Sequence, residues 1–95
     1  MRGMLQQLRQ KIRDRAYYLS SHAEDEMNDD QLERPDLEHA ILNGKIQKKL
    51  THDPRGVRYR VEGPAKDGRL VHVVCRLDEN DDLRIITVYA LSDEE

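Results

Sequence analysis

Cysteine is nearly missing from this 95-residue chain. Cys75 stands alone, so there is no internal disulfide, and with no CxxC pair there is nothing to suggest a structural zinc site or a thioredoxin-like centre. Its expected place is the apolar interior. Long hydrophobic runs are missing too. None approaches the roughly 18 residues that cross a bilayer, and the first residues lack the apolar stretch of a signal peptide, so the expectation is a cytoplasmic protein without a membrane role. A glycine-rich phosphate loop, a serine nucleophile elbow and a dinucleotide fingerprint are all absent, which leaves NTP-driven, acyl-transfer and redox chemistry without a foothold. HExxH spacing does not occur and the histidines are scattered singly. Asp78-x-Asn80-x-Asp82 opens like a calcium loop, but Leu83 stands where that loop needs glycine, so the segment reads as a hairpin connection. No metal and no cofactor are expected.

What the chain has is charge, 37% of its residues, beside 37% hydrophobic residues spaced regularly enough for one thin core. The net charge of -3 argues against a general polyanion binder, yet the charges fall in blocks. Residues 1–15 carry Arg2, Arg9, Lys11, Arg13 and Arg15 against Asp14 alone. Residues 24–38 are acidic except for Arg34. Residues 45–60 carry Lys45, Lys48, Lys49, Arg55, Arg58 and Arg60 against Asp53, and the stretch from Asp78 onward is acidic except for Arg84. A folded surface could then present a basic face and an acidic face at once.

Apolar periodicity organises these blocks. Met4, Leu5, Leu8 and Ile12 share one stripe of a helix over about 3–15. Ser21 with Glu24 reads as a capping box, starting a second helix over about 22–32. Pro35 and the Asn43-Gly44 stop bound a third over about 35–43. After Gly44 the period changes to two. Strands are expected at 45–50, 57–64, 70–77 and 83–91, joined by short turns that force antiparallel pairing. The chain is therefore read as a single α+β domain over residues 1–95. It comprises a basic N-terminal helix (1–15), a helical part (16–44), a β-meander (45–91) and an acidic tail (92–95). Two or three N-terminal helices pack on one face of a four-stranded antiparallel sheet, leaving the other face as the working surface.

The string Tyr18-Leu19-Ser20-Ser21-His22-Ala23-Glu24-Asp25-Glu26-Met27, followed by Asp36-Leu37-Glu38-His39-Ala40-Ile41-Leu42-Asn43-Gly44 and by Ile86-Thr87-Val88-Tyr89, resembles the small bacterial family catalogued as domain of unknown function 4258. The resemblance covers about residues 17–90. Such proteins look similar in element order to the RelE and MqsR toxins, small ribonucleases of the barnase-like type. The resemblance therefore implies a RelE/barnase-like fold and an mRNA-cleaving toxin, acting free or on the ribosome. The implied partner is an antitoxin of the zinc-finger and helix-turn-helix type. Family members often carry Arg-Met and Glu-Arg on the helix where this chain has Asp25-Glu26-Met27 and Asn28-Asp29-Asp30.

Metal-independent RNA cleavage needs a base for the 2′-hydroxyl proton, an acid for the leaving oxygen and cations on the phosphate. His22, at the start of a helix whose positive end favours an unprotonated imidazole, is a candidate base. Arg58 and Arg60 alternate with core residues on the second strand, and His72 and Arg76 have the same parity on the third. On the fourth, burying Ile86, Val88 and Ala90 puts Thr87 and Tyr89 beside His72 and leaves fewer hydroxyls in the core. The catalytic set is thus His22, Arg58, Arg60, His72 and Tyr89, with Lys48, Arg76 and Thr87 binding RNA. The alternative is a non-catalytic protein-binding module with an acidic helix and a basic sheet face.

Overall fold

In a computed structural model, residues 3–91 are described; the acidic tail expected at 92–95 and Arg2 of the basic block lie outside them. The first helix, α1 (Met4–Arg13), buries Leu8 and Ile12, the inner edge of the stripe seen in the sequence. A three-residue strand, β1 (Tyr17–Leu19), follows. Helices α2 (Ser21–Asp29) and α3 (Arg34–Asn43) come next, then β2 (Lys45–Leu50), β3 (Arg58–Pro64), β4 (Leu70–Leu77) and β5 (Leu83–Ala90).

The sheet order is β1-β5-β4-β3-β2. Strands β2 to β5 form the antiparallel meander, and β1 adds to β5 in parallel, with Tyr17 opposite Leu83 and Leu19 opposite Ile85. The sheet is therefore five-stranded and mixed, a correction to the expected four-stranded antiparallel one. A crossover through the two helices and the meander makes the parallel pairing feasible. Val61, Val71, Val73, Cys75, Leu83, Ile85 and Val88 turn one face into a single core with Leu8, Met27, Leu37 and Ile41 from the helices.

Helix starts differ from the sequence expectation in an informative way. Ser20, not Ser21, caps α2: its hydroxyl accepts from the Ala23 amide at 3.0 Å and donates to the Ile86 carbonyl at 2.9 Å, so one side chain fixes both the helix and its seat on β5. Helix α3 is started by a reciprocal box between Glu33 and Asp36, with Pro35 in its first turn. Gly44 closes α3 as expected, but for want of space and not for handedness, since its φ of -105° is open to any residue. A Cβ there would strike the Ala40 carbonyl and come 2.7 Å from the Gly63 Cα. Arg9 reaches from α1 to the same spot, donating to the Ile41 and Gly44 carbonyls at 3.0 and 2.7 Å and so satisfying the exposed end of α3.

The acidic helix α2 covers the part of β5 that β1 leaves unpaired. Glu26 accepts from the Val88 amide at 3.1 Å and Asp30 accepts from the Ala90 amide at 2.9 Å. One helical turn between the carboxylates matches the two-residue repeat of the strand edge. Arg69 closes the far end, donating to the Asp30 and Gln31 carbonyls at 2.7 and 3.1 Å while its Nε holds Asp67.

Strand β5 carries a bulge opposite Val74 and Cys75, which reverses its parity between Ile85 and Thr87. Leu83, Ile85 and Val88 are buried on the helix side, and Ile86 lies on the open side instead of inward as expected. The choice of Val88 inward with Thr87 and Tyr89 outward holds beyond the bulge. Asp78 secures the β4–β5 hairpin by accepting from the Asn80 and Asp82 amides, both at 2.9 Å. No helix among the described residues is long and apolar enough to cross a membrane.

Candidate active site on the open sheet face

The register of the meander aligns side chains across the uncovered face. Lys45 lies opposite Glu62, Glu62 opposite His72 and His72 opposite Tyr89, one row across four strands. The row is bonded as well as aligned. His72 Nε2 lies 3.0 Å from a Glu62 oxygen and Nδ1 lies 3.0 Å from the Tyr89 hydroxyl. A carboxylate only accepts, so Nε2 carries the hydrogen, and in the neutral form of the ring Nδ1 accepts the tyrosine O–H. The His72 and Tyr89 rings meet edge to face at 5.3 Å. His72 is 8% exposed, with both nitrogens engaged, whereas Tyr89 is only partly covered; the tyrosine oxygen is therefore the outward end of this relay.

The next row places Lys48 opposite Arg60, Arg60 opposite Val74 and Val74 opposite Thr87. Arg60 Nε donates to Gln47 Oε1 at 2.7 Å, which braces the guanidinium over the face. Beyond it, Arg76 and Arg84 are cross-strand partners, and Arg58 bonds Asp53 at 2.9 Å. The structure thus brings His72 and Tyr89 into contact, sets Lys48, Arg60 and Thr87 in the adjacent row, with Lys48 three strands from Tyr89, and puts Arg58 and Arg76 in a separate cluster. His22 stands apart on α2, two-thirds exposed and 3.4 Å from Glu26 in an ion-pair geometry, and no hydrogen bond joins it to the sheet-face residues.

Glu62, Arg84 and Asp53 are site residues that sequence reasoning missed. Glu62 shares the parity of Arg58 and Arg60, which was a usable signal, but its pairing with His72 depends on register. Cys75 is buried on the other face, and burial pushes its thiol up to about 12, so it is no nucleophile. Among the described residues no group of three His, Cys, Asp or Glu side chains could hold a metal ion.

No curated protein and no solved structure matches the chain. The family described as Domain of unknown function (DUF4258) matches residues 19–90, from the last residue of β1 to the last of β5, and so takes in α2, α3, the meander and every residue of the two polar rows. The chain belongs to the DUF4258 family.

Proposed function

We propose that the protein is a toxin-like endoribonuclease that cleaves RNA without a metal ion. The observation that carries this reading is the Tyr89 hydroxyl, set on a cationic sheet face and bonded to a histidine that a carboxylate holds in one tautomer. RNA supplies its own nucleophile, so the protein need only move a proton and steady a phosphate. The 2′-oxygen attacks the adjacent phosphorus while its proton passes to Tyr89 Oη and the tyrosine proton passes to His72 Nδ1. The bond to the 5′-oxygen breaks, a cyclic phosphate forms, the leaving oxygen takes a proton from water, and the hydroxide so formed takes back, through Tyr89, the proton held on His72. Tyr89 is the catalytic residue in this scheme; His72 and Glu62 position and charge it. Arg60 and Lys48 face the developing charge on the phosphate, and Thr87 flanks it. His22 has no step in it.

The similarity in element order to RelE and barnase-like ribonucleases supports the reading, and it brings an antitoxin as partner. Such a partner silences the face by offering carboxylates to Arg58, Arg60 and Arg76 and by adding a strand to β2, which is paired only with β3 among the described residues. That same outer edge favours the second reading, a non-catalytic module that binds a protein through β2 and the basic face. Incubating the purified protein with mixed-sequence RNA in a chelator separates the two. Cleavage to cyclic-phosphate ends, abolished in Arg60→Ala with His72→Ala, supports the enzyme. Absence of cleavage, with ribosomes as well as without, rejects it.

A further inference from the structure

At the other end of the open face, Arg55, Arg58, Arg76 and Arg84 surround a small pocket with Ile86 and a single carboxylate, Asp53. Asp53 lies in the connection between β2 and β3. Its side chain is 6% exposed, with Oδ2 2.9 Å from Arg58 Nη2 and Oδ1 3.6 Å from Arg55 Nε, and it also accepts the Arg55 amide at 2.8 Å. The Arg55 side chain is three-quarters exposed and open to water, but one carboxylate does not satisfy the other three guanidinium groups. Among the described residues two buried side-chain polar atoms lack a hydrogen-bond partner, Arg58 Nε and Arg84 Nε, and both belong to this cluster. Arg76 and Arg84 are moreover held directly opposite each other, a like-charge pairing that favours an anion between them. By contrast, Arg9 and Arg69 spend their donors on helix ends.

We propose that this cluster is a phosphate-binding subsite and that Asp53 occupies it as the chain's own stand-in for a phosphate. A phosphate brings more acceptor oxygens and more charge than a carboxylate, enough to reach the donors that Asp53 leaves unmet. The field there already favours anions: the Asp53 carboxyl is held below its ordinary range by the Arg55 amide first and then by the charges of Arg58, Arg55 and Arg76. Residues 51–57 lie outside any helix or strand, and Gly56 at φ +129° gives the connection a pivot, so the carboxylate can withdraw without unpairing the sheet.

On the RNA reading above, on which the source of the phosphate rests, the ligand is a second phosphate of the same strand. Arg76 is four residues along β4 from His72, about 13 Å, so this is not the phosphate being cut. A groove of about 710 Å³ opens beside the cluster, lined by Arg55, Arg76 and Arg84 and by Tyr18. Tyr18 is 41% exposed, and its hydroxyl is fixed to Asp78 at 2.9 Å, which presents the ring as a stacking surface for a base. Glu79 and Asp78 also line this groove; Asp78 is occupied by two backbone amides and Tyr18.

Inorganic phosphate titrated into the full chain, followed through the Nε–H resonances of Arg58 and Arg84, tests the proposal without any cleavage readout. Both resonances should shift. Asp53→Asn keeps the acceptor for the Arg55 amide but removes the competing charge, and should bind phosphate about tenfold tighter, while Arg84→Gln should bind about tenfold weaker. Unchanged affinity in Asp53→Asn, or shifts confined to other residues, would overturn the subsite. A short 2′-deoxy oligonucleotide, which has no hydroxyl with which to be cut, should move the same two resonances. If phosphate moves them and the oligonucleotide does not, the subsite serves a free phosphate and its assignment to an RNA strand is overturned. If phosphate fails to bind while RNA is still cleaved, the subsite falls and the ribonuclease reading stands.

Discussion

On the helix-covered side of the molecule, several charged groups are used up by the backbone. Glu26 and Asp30 hold the β5 amides, Arg69 holds the carbonyls at the end of α2, and Arg9 does the same for α3. On the open face, charged groups are held by one another or left over: His72 lies between Glu62 and Tyr89, and Arg58 and Arg84 each keep an unpartnered Nε. The two regions put their charges to opposite use. A bare strand edge is a liability that must be covered, so Glu26 and Asp30 of the acidic block are explained by architecture before any partner is invoked, while Glu24, Asp25 and Asp29 face solvent. The face has no such explanation. A polar row bonded across strands, with its oxygen outward, is where chemistry is to be sought.

If the covered side is structural, substitutions there should cost stability. The largest loss is expected from Gly63→Ala. The added methyl would strike the Ala40 carbonyl and stand 2.9 Å from the Gly44 Cα, with only backbone to give way, so denaturant unfolding should show a loss of about 3 kcal/mol or more. Next comes Glu26→Ala with Asp30→Ala, which strips two strand amides of their acceptors. A loss of roughly 1–3 kcal/mol per amide is expected, together with faster hydrogen exchange confined to Val88 and Ala90. If these amides stay protected in the double variant, α2 is not what covers the edge and its carboxylates are free for a partner.

Acid gives a smaller effect. Asp53, Asp67 and Asp78 all sit below the ordinary value of 3.8, each held there first by backbone amides, of Arg55, Arg69 and Asp82 respectively. A carboxyl depressed by folding stabilises the fold above its unfolded value, and that contribution is lost as pH falls from about 3.8 through the folded values. Thermal unfolding followed from pH 6 to about pH 2 should therefore lose stability mainly below about pH 4. In Asp78→Asn, which touches the β4–β5 hairpin and the bond to Tyr18, the loss should be shallower. The smallest effect is expected at Cys75: with its thiol pushed up to about 12 and fully buried, it should react with a disulfide reagent only when the protein unfolds.

The meander was legible because alternation is a backbone property: Val61, Val71, Val73 and Cys75 lie on the core face at the positions that a period of two assigns. Three things were not. Strand β1 has three residues, too few for any period, and its pairing with β5 is set by residues more than sixty positions away. The bulge on β5 reverses parity in the middle of a run of apolar residues, where both faces read alike, so Ile86 was placed on the wrong side. The capping box reads on Ser21 from local spacing alone, whereas the bond that Ser20 makes to the Ile86 carbonyl is a tertiary contact that no local spacing reveals. For the site, parity gathers Arg58, Arg60, His72 and Arg76 and sets Thr87 and Tyr89 beside His72, but only register shows that Glu62 flanks His72 on the other side while Arg58 joins Arg76 and Arg84. His22 was singled out for a helix-end property, which says nothing about what lies across from it.

On the proposed function, the bonded row on the open face moves a proton at the Tyr89 oxygen. Tyr89→Phe deletes that one oxygen and keeps the ring against His72. The decisive measurement is the rate of RNA cleavage by this variant, taken beside its thermal unfolding. If that oxygen carries the proton, the rate should be at least about 100-fold lower with a stability change within about 1 kcal/mol. Cleavage at the wild-type rate by the folded variant would contradict it.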